Sequence, residues 1–239
     1  MLAEHARLSR EAADGNQGYD DYLPKLTELE VVRRGANAIT ARIKNAGFPA
    51  LKDLETFDFT LTPNPNKQKV LELSRGEWIA QRHDLALIGN SGTGKTHLTV
   101  ALGQAACRAG RRVKFHAAQA LVNRLEEARK NYRLERMLAM PGKTDLPIVD
   151  ELGYISFSRT GAEPLFQVLA DRYERGSVLI TSNPPFGEWG QIFQGERMTA
   201  ALLDRFTHRR PIFQMNGESY RFRESSKTAT TKEKKTTNK

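Results

Sequence analysis

Residues 85–96, Leu-Ala-Leu-Ile-Gly-Asn-Ser-Gly-Thr-Gly-Lys-Thr, set glycines, a lysine and a threonine at the spacing of a loop that cradles phosphate. Gly89, Gly92 and Gly94 let the backbone turn tightly and aim its N–H groups at phosphate oxygens. Lys95 then reaches the β- and γ-phosphates, and the Thr96 hydroxyl can ligate Mg²⁺. The candidate contacts to a nucleoside triphosphate are therefore Gly89, Asn90, Ser91, Gly92, Thr93, Gly94, Lys95 and Thr96, with His97 next along the chain. An apolar run precedes the loop. A helical pattern follows it through Leu98, Leu102 and Ala106, ending near Gly110.

A phosphate loop alone does not specify hydrolysis. Leu146-Pro-Ile-Val-Asp150-Glu151 adds an apolar strand that ends in two adjacent carboxylates. Asp150 would hold Mg²⁺, through water or together with Thr96, while Glu151 would orient a water against the γ-phosphate. Pro147 cannot donate to a ladder, so this strand is expected to be short, with the proline at its start. Ser177-Val-Leu-Ile-Thr-Ser-Asn183 is a second apolar strand with a polar end. Ligands of parallel sheets bind outside the carboxyl ends of the strands, which places Asn183 to meet the attacking water or the γ-phosphate. Ahead of Pro184-Pro185 it could instead serve a turn. Arg205, in Leu202-Leu-Asp-Arg-Phe206, either pairs with an acid of its own subunit or reaches a neighbour's γ-phosphate as an arginine finger.

The elements that must position these residues alternate. Strand-like runs at 85–88, 112–116, 146–150, 177–182 and 211–215 are separated by helical patterns, which predicts an α/β parallel sheet with helices on both faces. Ahead of them, residues 1–18 hold one short helical pattern. A longer one carries apolar residues at Tyr22, Leu26, Leu29, Val32, Ala36, Ile39 and Ile43, with Asp20 or Asp21 as cap, Pro24 in the first turn and Gly47 as the stop. A further helix is expected over 119–138, its apolar stripe running Leu121, Leu125, Ala128, Tyr132. The organisation expected is a helical module over 1–60, a nucleotide-binding domain over 61–223 and a disordered Lys-rich tail over 224–239.

Composition adds a partner class. The 239 residues carry a net charge of +9, which favours a polyanion, nucleic acid first and an anionic membrane surface second. Two helical faces concentrate the charge: Arg33, Arg34, Arg42 and Lys44 on one, and Arg124, Arg129, Lys130, Arg133 and Arg136 on the other. Each is a candidate contact to the DNA backbone or a solvated face. One cysteine, Cys107, excludes an internal disulfide and fits the cytoplasm. No apolar run is long enough to span a membrane.

Several segments together resemble the IstB-like ATP-binding proteins. They are Gly89–Thr96 continuing into His97-Leu98, Asp150-Glu-Leu-Gly-Tyr154, Arg172-Tyr-Glu-Arg-Gly176, Thr181-Ser-Asn183 followed by Glu188-Trp189, and Gly217-Glu-Ser-Tyr-Arg221. The resemblance covers about residues 20–223. It implies a P-loop ATPase of the AAA+ type, a helper of insertion-sequence transposition that assembles as a homo-oligomer on duplex DNA and recruits or activates a transposase. ATP and Mg²⁺ are its implied cofactors. It assigns Lys95, Thr96, Asp150 and Glu151 to nucleotide and metal, Asn183 to sensing, and Arg205 to the finger. The N-terminal module reads as shortened against the family, Pro147 replaces an aliphatic residue, and the Lys-rich tail is additional. A loader of the replicative helicase shares the fold and motifs. A small-molecule kinase and an ATP-binding clamp without turnover are the readings from other classes.

Overall fold

The computed structural model describes residues 2–60, 64–138, 144–172, 175–207 and 212–217. Two helices come first, α1 (Leu2–Asp14) and α2 (Tyr19–Ala46). Asp20 and Asp21 do not cap α2; Gly18 is the cap, and the two acids lie in the first turn, where their charge complements the helix dipole. Pro24 sits inside the helix, one turn later than expected. The apolar stripe of α2 is covered only at its ends. Tyr22 meets His5 and Ser9 of α1, and Ala46 is buried at the sheet end of the helix. Between them Val32 is 64% exposed, so the period holds and the burial does not.

The helices α3 (Lys67–Ser74) and α4 (Glu77–Ala80) lead into β1 (Leu85–Ile88). There follow α5 (Lys95–Arg108), β2 (Val113–Ala117), α6 (Ala118–Lys130), α7 (Leu134–Leu138), β3 (Leu146–Leu152), α8 (Arg159–Ala170) and β4 (Leu179–Ser182). Two further helices, α9 (Trp189–Phe193) and α10 (Glu196–Thr207), precede β5 (Ile212–Gln214). All the strand pairs are parallel, in the order β2-β3-β4-β1-β5.

Helices cover both faces of this sheet because both faces are apolar. Ile148 and Leu179 pack with Leu98 and Leu102 of α5, together with Val70 and Trp78. Their chain neighbours Val149 and Ile180 point the other way, into Leu121 and Leu125 of α6, Leu165 of α8 and Trp189 of α9. The phosphate-loop helix is thus wedged into the core by a face of Leu98, Val100, Ala101, Leu102 and Ala106, all nearly fully buried. Each such leucine contributes about 1.5–3 kcal/mol through burial.

Two expectations are corrected. The helix expected over 119–138 is two, broken where Tyr132 takes a left-handed backbone (φ 55°); Tyr132 stands 99% exposed instead of continuing the stripe. The strand bearing Pro147 is not short but runs from Leu146 to Leu152, with the proline at its second position. Leu146 donates to Arg112 O on the β2 side, so by alternation the nitrogen of Pro147 faces β4. The carbonyl that an amide there would reach, Ser177 O, accepts instead from Arg172 Nη2 at 3.2 Å. The buried Arg172 guanidinium also binds Thr144 O and Asp145 O, at 2.8 and 2.9 Å. It fills the gap that the proline leaves in the ladder.

Candidate nucleotide site

β1 delivers the phosphate loop at the carboxyl edge of the sheet. Gly89 passes so close to the exit of β5 that a Cβ would lie 2.2 Å from Met215 O, while Met215 N donates to Ile88 O at 2.6 Å. Gly94, at φ 91°, has the Phe57 ring over it, 2.8 Å from where a Cβ would be. No side chain fits at either point, and the loop is held from both flanks. Thr93 Oγ1 ties it internally to Asn90 O at 2.9 Å. Gly94 then caps α5, whose first turn points its N–H groups and the positive end of the helix dipole out of the helix, where an anion would be favoured.

Lys95 is 7% exposed, and its ammonium donates to Gly89 O and Asn90 O at 2.6 and 2.7 Å. Thr96 Oγ1 donates to Asp150 Oδ2 at 3.0 Å, bringing α5 and the end of β3 together. Asp150 is 5% exposed. Its other oxygen, Oδ1, accepts from Thr181 Oγ1 of β4, and the same hydroxyl accepts from Glu151 N at 2.8 Å. Glu151 itself is exposed, on a left-handed backbone (φ 59°). Asn183 follows β4 directly and is half-buried, beyond a strand end flanked by those of β1 and β3. Lys95, Thr96, Asp150, Glu151 and Asn183 therefore all lie on this one edge. Arg205 lies in α10, and its side chain is outside the described residues.

The donor set fits Mg²⁺. A hydroxyl and a carboxylate oxygen 3.0 Å apart are hard ligands, and Mg²⁺ takes few protein ligands beside phosphate and water. Among the described residues no cluster of three or more His, Cys, Asp or Glu side chains offers a metal cage of its own.

His97 takes a different place from its loop neighbours. Its Nε2 contacts Asp53 O at 2.9 Å and Thr56 Oγ1 at 3.3 Å, and its ring meets Phe57 edge to face at 5.3 Å. Residues 53–57 thereby form a strap pinned to α5, reinforced by Arg108 on Asp53 and by Gln104 on Lys52 O. The sequence singles out no role for Phe57. It also assigns no role to Thr181, which enters only within the Ser177–Asn183 run and as the first residue of the Thr181-Ser-Asn183 segment.

The basic residues form two unequal faces. On α2, Arg33 and Arg34 both grip Glu30, at 3.0 and 2.8 Å, and the Arg34 hydrogen bond holds the Glu30 carboxyl below its ordinary range. Arg42 donates to Cys107 O at 3.3 Å, and Lys44 is exposed. On α6, Arg129 pairs with Glu163 at 3.3 Å. Arg124 lies beside His116, whose pKa falls to about 4 through burial and then the charges of Arg124 and Lys114. Lys130, Arg133 and Arg136 are exposed and, among the described residues, make no ion pair or side-chain hydrogen bond.

No helix among the described residues is long and apolar enough to cross a membrane. Known proteins resemble this chain in sequence and in fold. Residues 1–228 match the model of the IstB-like ATP-binding protein family. A Geobacillus stearothermophilus protein named for ATP binding in insertion sequence IS5376 is 37% identical over 224 residues, covering 94% of this chain and 89% of that one. The IS21 counterpart of Pseudomonas aeruginosa is 36% identical over 220 residues, covering 92% and 83%. Among solved structures, AMPPCP-bound DnaA of Aquifex aeolicus aligns with a TM-score of 0.58 at 18% identity, over 71% of this chain and 51% of that one. The DnaC helicase loader aligns at 0.52 and 18%, over 77% and 99%. At those identities the likeness is one of fold, a parallel P-loop sheet of the AAA+ type. The sequence kinship goes further: the chain belongs to the IstB-like ATP-binding protein family.

Proposed function

We propose that the chain is a Mg²⁺-dependent ATPase that assembles on duplex DNA and recruits or activates the transposase of its insertion sequence. The observation that carries the hydrolytic part is the convergence of Lys95, Thr96, Asp150 and Glu151 on one sheet edge, with Thr96 and Asp150 in contact. Lys95 would leave the loop carbonyls for the β- and γ-phosphate oxygens, a charge-assisted contact. The N-terminus of α5 would add its N–H groups. Thr96 and Asp150 would hold Mg²⁺, which when bound neutralises charge on the phosphates. Glu151, exposed at the same edge of the sheet, would orient the attacking water and take its proton, and Asn183 would hydrogen-bond that water or the γ-phosphate.

The DNA-binding part rests on the cations of α6 and α7, and the transposase part on kinship with proteins named for insertion sequences. Within this reading, residues 1–60 serve assembly and DNA contact, residues 61–223 the ATPase, and Arg205 a neighbouring subunit's site. Steady-state ATP turnover and particle size, measured together with and without duplex DNA, test it. Turnover that rises as DNA-bound assemblies form supports the reading, and Arg205→Ala subunits mixed with Lys95→Ala subunits should regain activity. Absence of turnover in the wild type under both conditions contradicts it.

A further inference from the structure

β3 carries one residue more than β4 across the span that delivers the two acids. Val149 faces Ile180 and Leu152 faces Ser182, so three steps on β3 match two on β4. Such a bulge leaves a residue out of the ladder, bends the strand and re-aims a side chain. Here it contains Asp150 and Glu151, and the left-handed backbone of Glu151 is its local signature. The bulge turns Glu151 outward where strict alternation would have continued, and it removes the ladder partner of the Glu151 amide.

The residue opposite the bulge is Thr181, with no exposed surface. A threonine hydroxyl has one hydrogen to donate and lone pairs to accept with. Both capacities are spent on the acids: Thr181 Oγ1 accepts from Glu151 N at 2.8 Å and donates to Asp150 Oδ1. Thr96 Oγ1 lies nearer the other oxygen, 3.0 Å from Asp150 Oδ2 against 3.3 Å from Oδ1. One buried hydroxyl thus fixes the backbone of one acid and the carboxylate orientation of the other.

We propose that Thr181 is a positioning residue for hydrolysis. Its hydroxyl replaces the ladder partner missing at the bulge, keeps Glu151 aimed out of the strand, and fixes Asp150 so that Oδ2 faces the hydroxyl that would share Mg²⁺ with it. Because Thr181 lies in β4 two residues before Asn183, which follows that strand directly, it also ties the placement of the acids to that of Asn183. A valine in its place would keep the shape, leave the Glu151 amide unpaired in the core and free the Asp150 carboxylate to rotate.

The inference rests on reading this edge as a Mg²⁺–ATP site, so its test has two separate readouts. Thr181→Val, Thr181→Ala and Thr181→Ser are compared with the wild type for AMPPCP affinity with and without Mg²⁺, for kcat and KM, and for thermal melting. Loss of an outer-shell partner typically costs 10–100-fold in metal affinity or activity. Thr181→Val and Thr181→Ala should therefore lose at least about tenfold of the gain in AMPPCP affinity that Mg²⁺ gives the wild type. Affinity without Mg²⁺ should stay within about threefold, and kcat should fall roughly 10–100-fold with little change in KM. Thr181→Ser, which restores the hydroxyl, should recover both. Should the valine variant melt too low to assay, the alanine and serine pair decides the matter. An unchanged Mg²⁺ gain in the valine or alanine variant, or a serine variant as defective as either, overturns the inference. A wild type that binds Mg²⁺–AMPPCP without turning over ATP removes the hydrolytic reading alone, and the Mg²⁺ gain still decides the role of Thr181.

Discussion

Around the phosphate loop the candidate side chains are held by other parts of the chain, whereas from the end of α6 into α7 three cations stand in water. Lys95, Thr96 and Asp150 are each fixed by hydrogen bonds within or beside the core, from β1, α5, β3 and β4. Lys130 at the end of α6, Arg133 just after it and Arg136 in α7 are exposed, with no ion pair among the described residues. The difference fits the two tasks proposed for these regions. Chemistry on a γ-phosphate needs groups placed to within a fraction of an ångström before the substrate arrives. Contact with a polyanion needs only charge that remains free to be neutralised by phosphate. The α2 face falls between these two, because Glu30 already offsets Arg33 and Arg34.

The two ends cease to be separate if damage at one spreads to the other. The largest effect is expected from Lys95→Ala, which should lower ATP affinity by roughly 10²-fold, since charged hydrogen bonds contribute about 1.5–3 kcal/mol each. A calorimetric or fluorescence titration reads this directly, and DNA affinity without nucleotide should stay as in the wild type. A smaller and graded effect is expected from replacing Lys130, Arg133 and Arg136 together by alanine. Each DNA phosphate that these side chains no longer neutralise should flatten the dependence of log DNA affinity on log salt by about 0.9. ATP affinity should not move. Smallest of all should be Arg33→Ala with Arg34→Ala, which also frees Glu30 and so changes the local field less than the count of arginines suggests. A larger drop in DNA affinity from the α2 pair than from the α6–α7 triple would reverse the ranking of the two faces.

Much of the nucleotide end was legible in the sequence because its residue types have few other uses. Glycines flanking a lysine and a threonine, and paired acids closing an apolar strand, specify both the loop and its neighbours in the sheet. What stayed hidden depended on contacts between distant segments. Thr181 reads as one threonine in a strand, and only the extra residue in β3 makes its hydroxyl the partner of Glu151 and Asp150. Nothing in the sequence marks out the strap at 53–57, and only the structure sets Phe57 over Gly94. Pro147 argued for a short strand because its missing donor was charged against the ladder, and Arg172, 25 residues later in the chain, makes up the loss. On α2 the three-and-four spacing identified a helix correctly and overstated its burial. Periodicity says which face is apolar, while coverage depends on what else the fold brings there, and α1 and the sheet reach only the two ends.

In the function proposed here, hydrolysis of ATP at this sheet edge would turn on Glu151 as the group that orients water. Glu151→Gln keeps the size of the side chain and removes the carboxylate, so single-turnover hydrolysis measured beside ATP affinity on the DNA-bound protein isolates that role. The expected result is ATP binding within a few-fold of the wild type and hydrolysis slower by at least about 10²-fold. Hydrolysis at the wild-type rate, with ATP bound as tightly, would contradict the assignment.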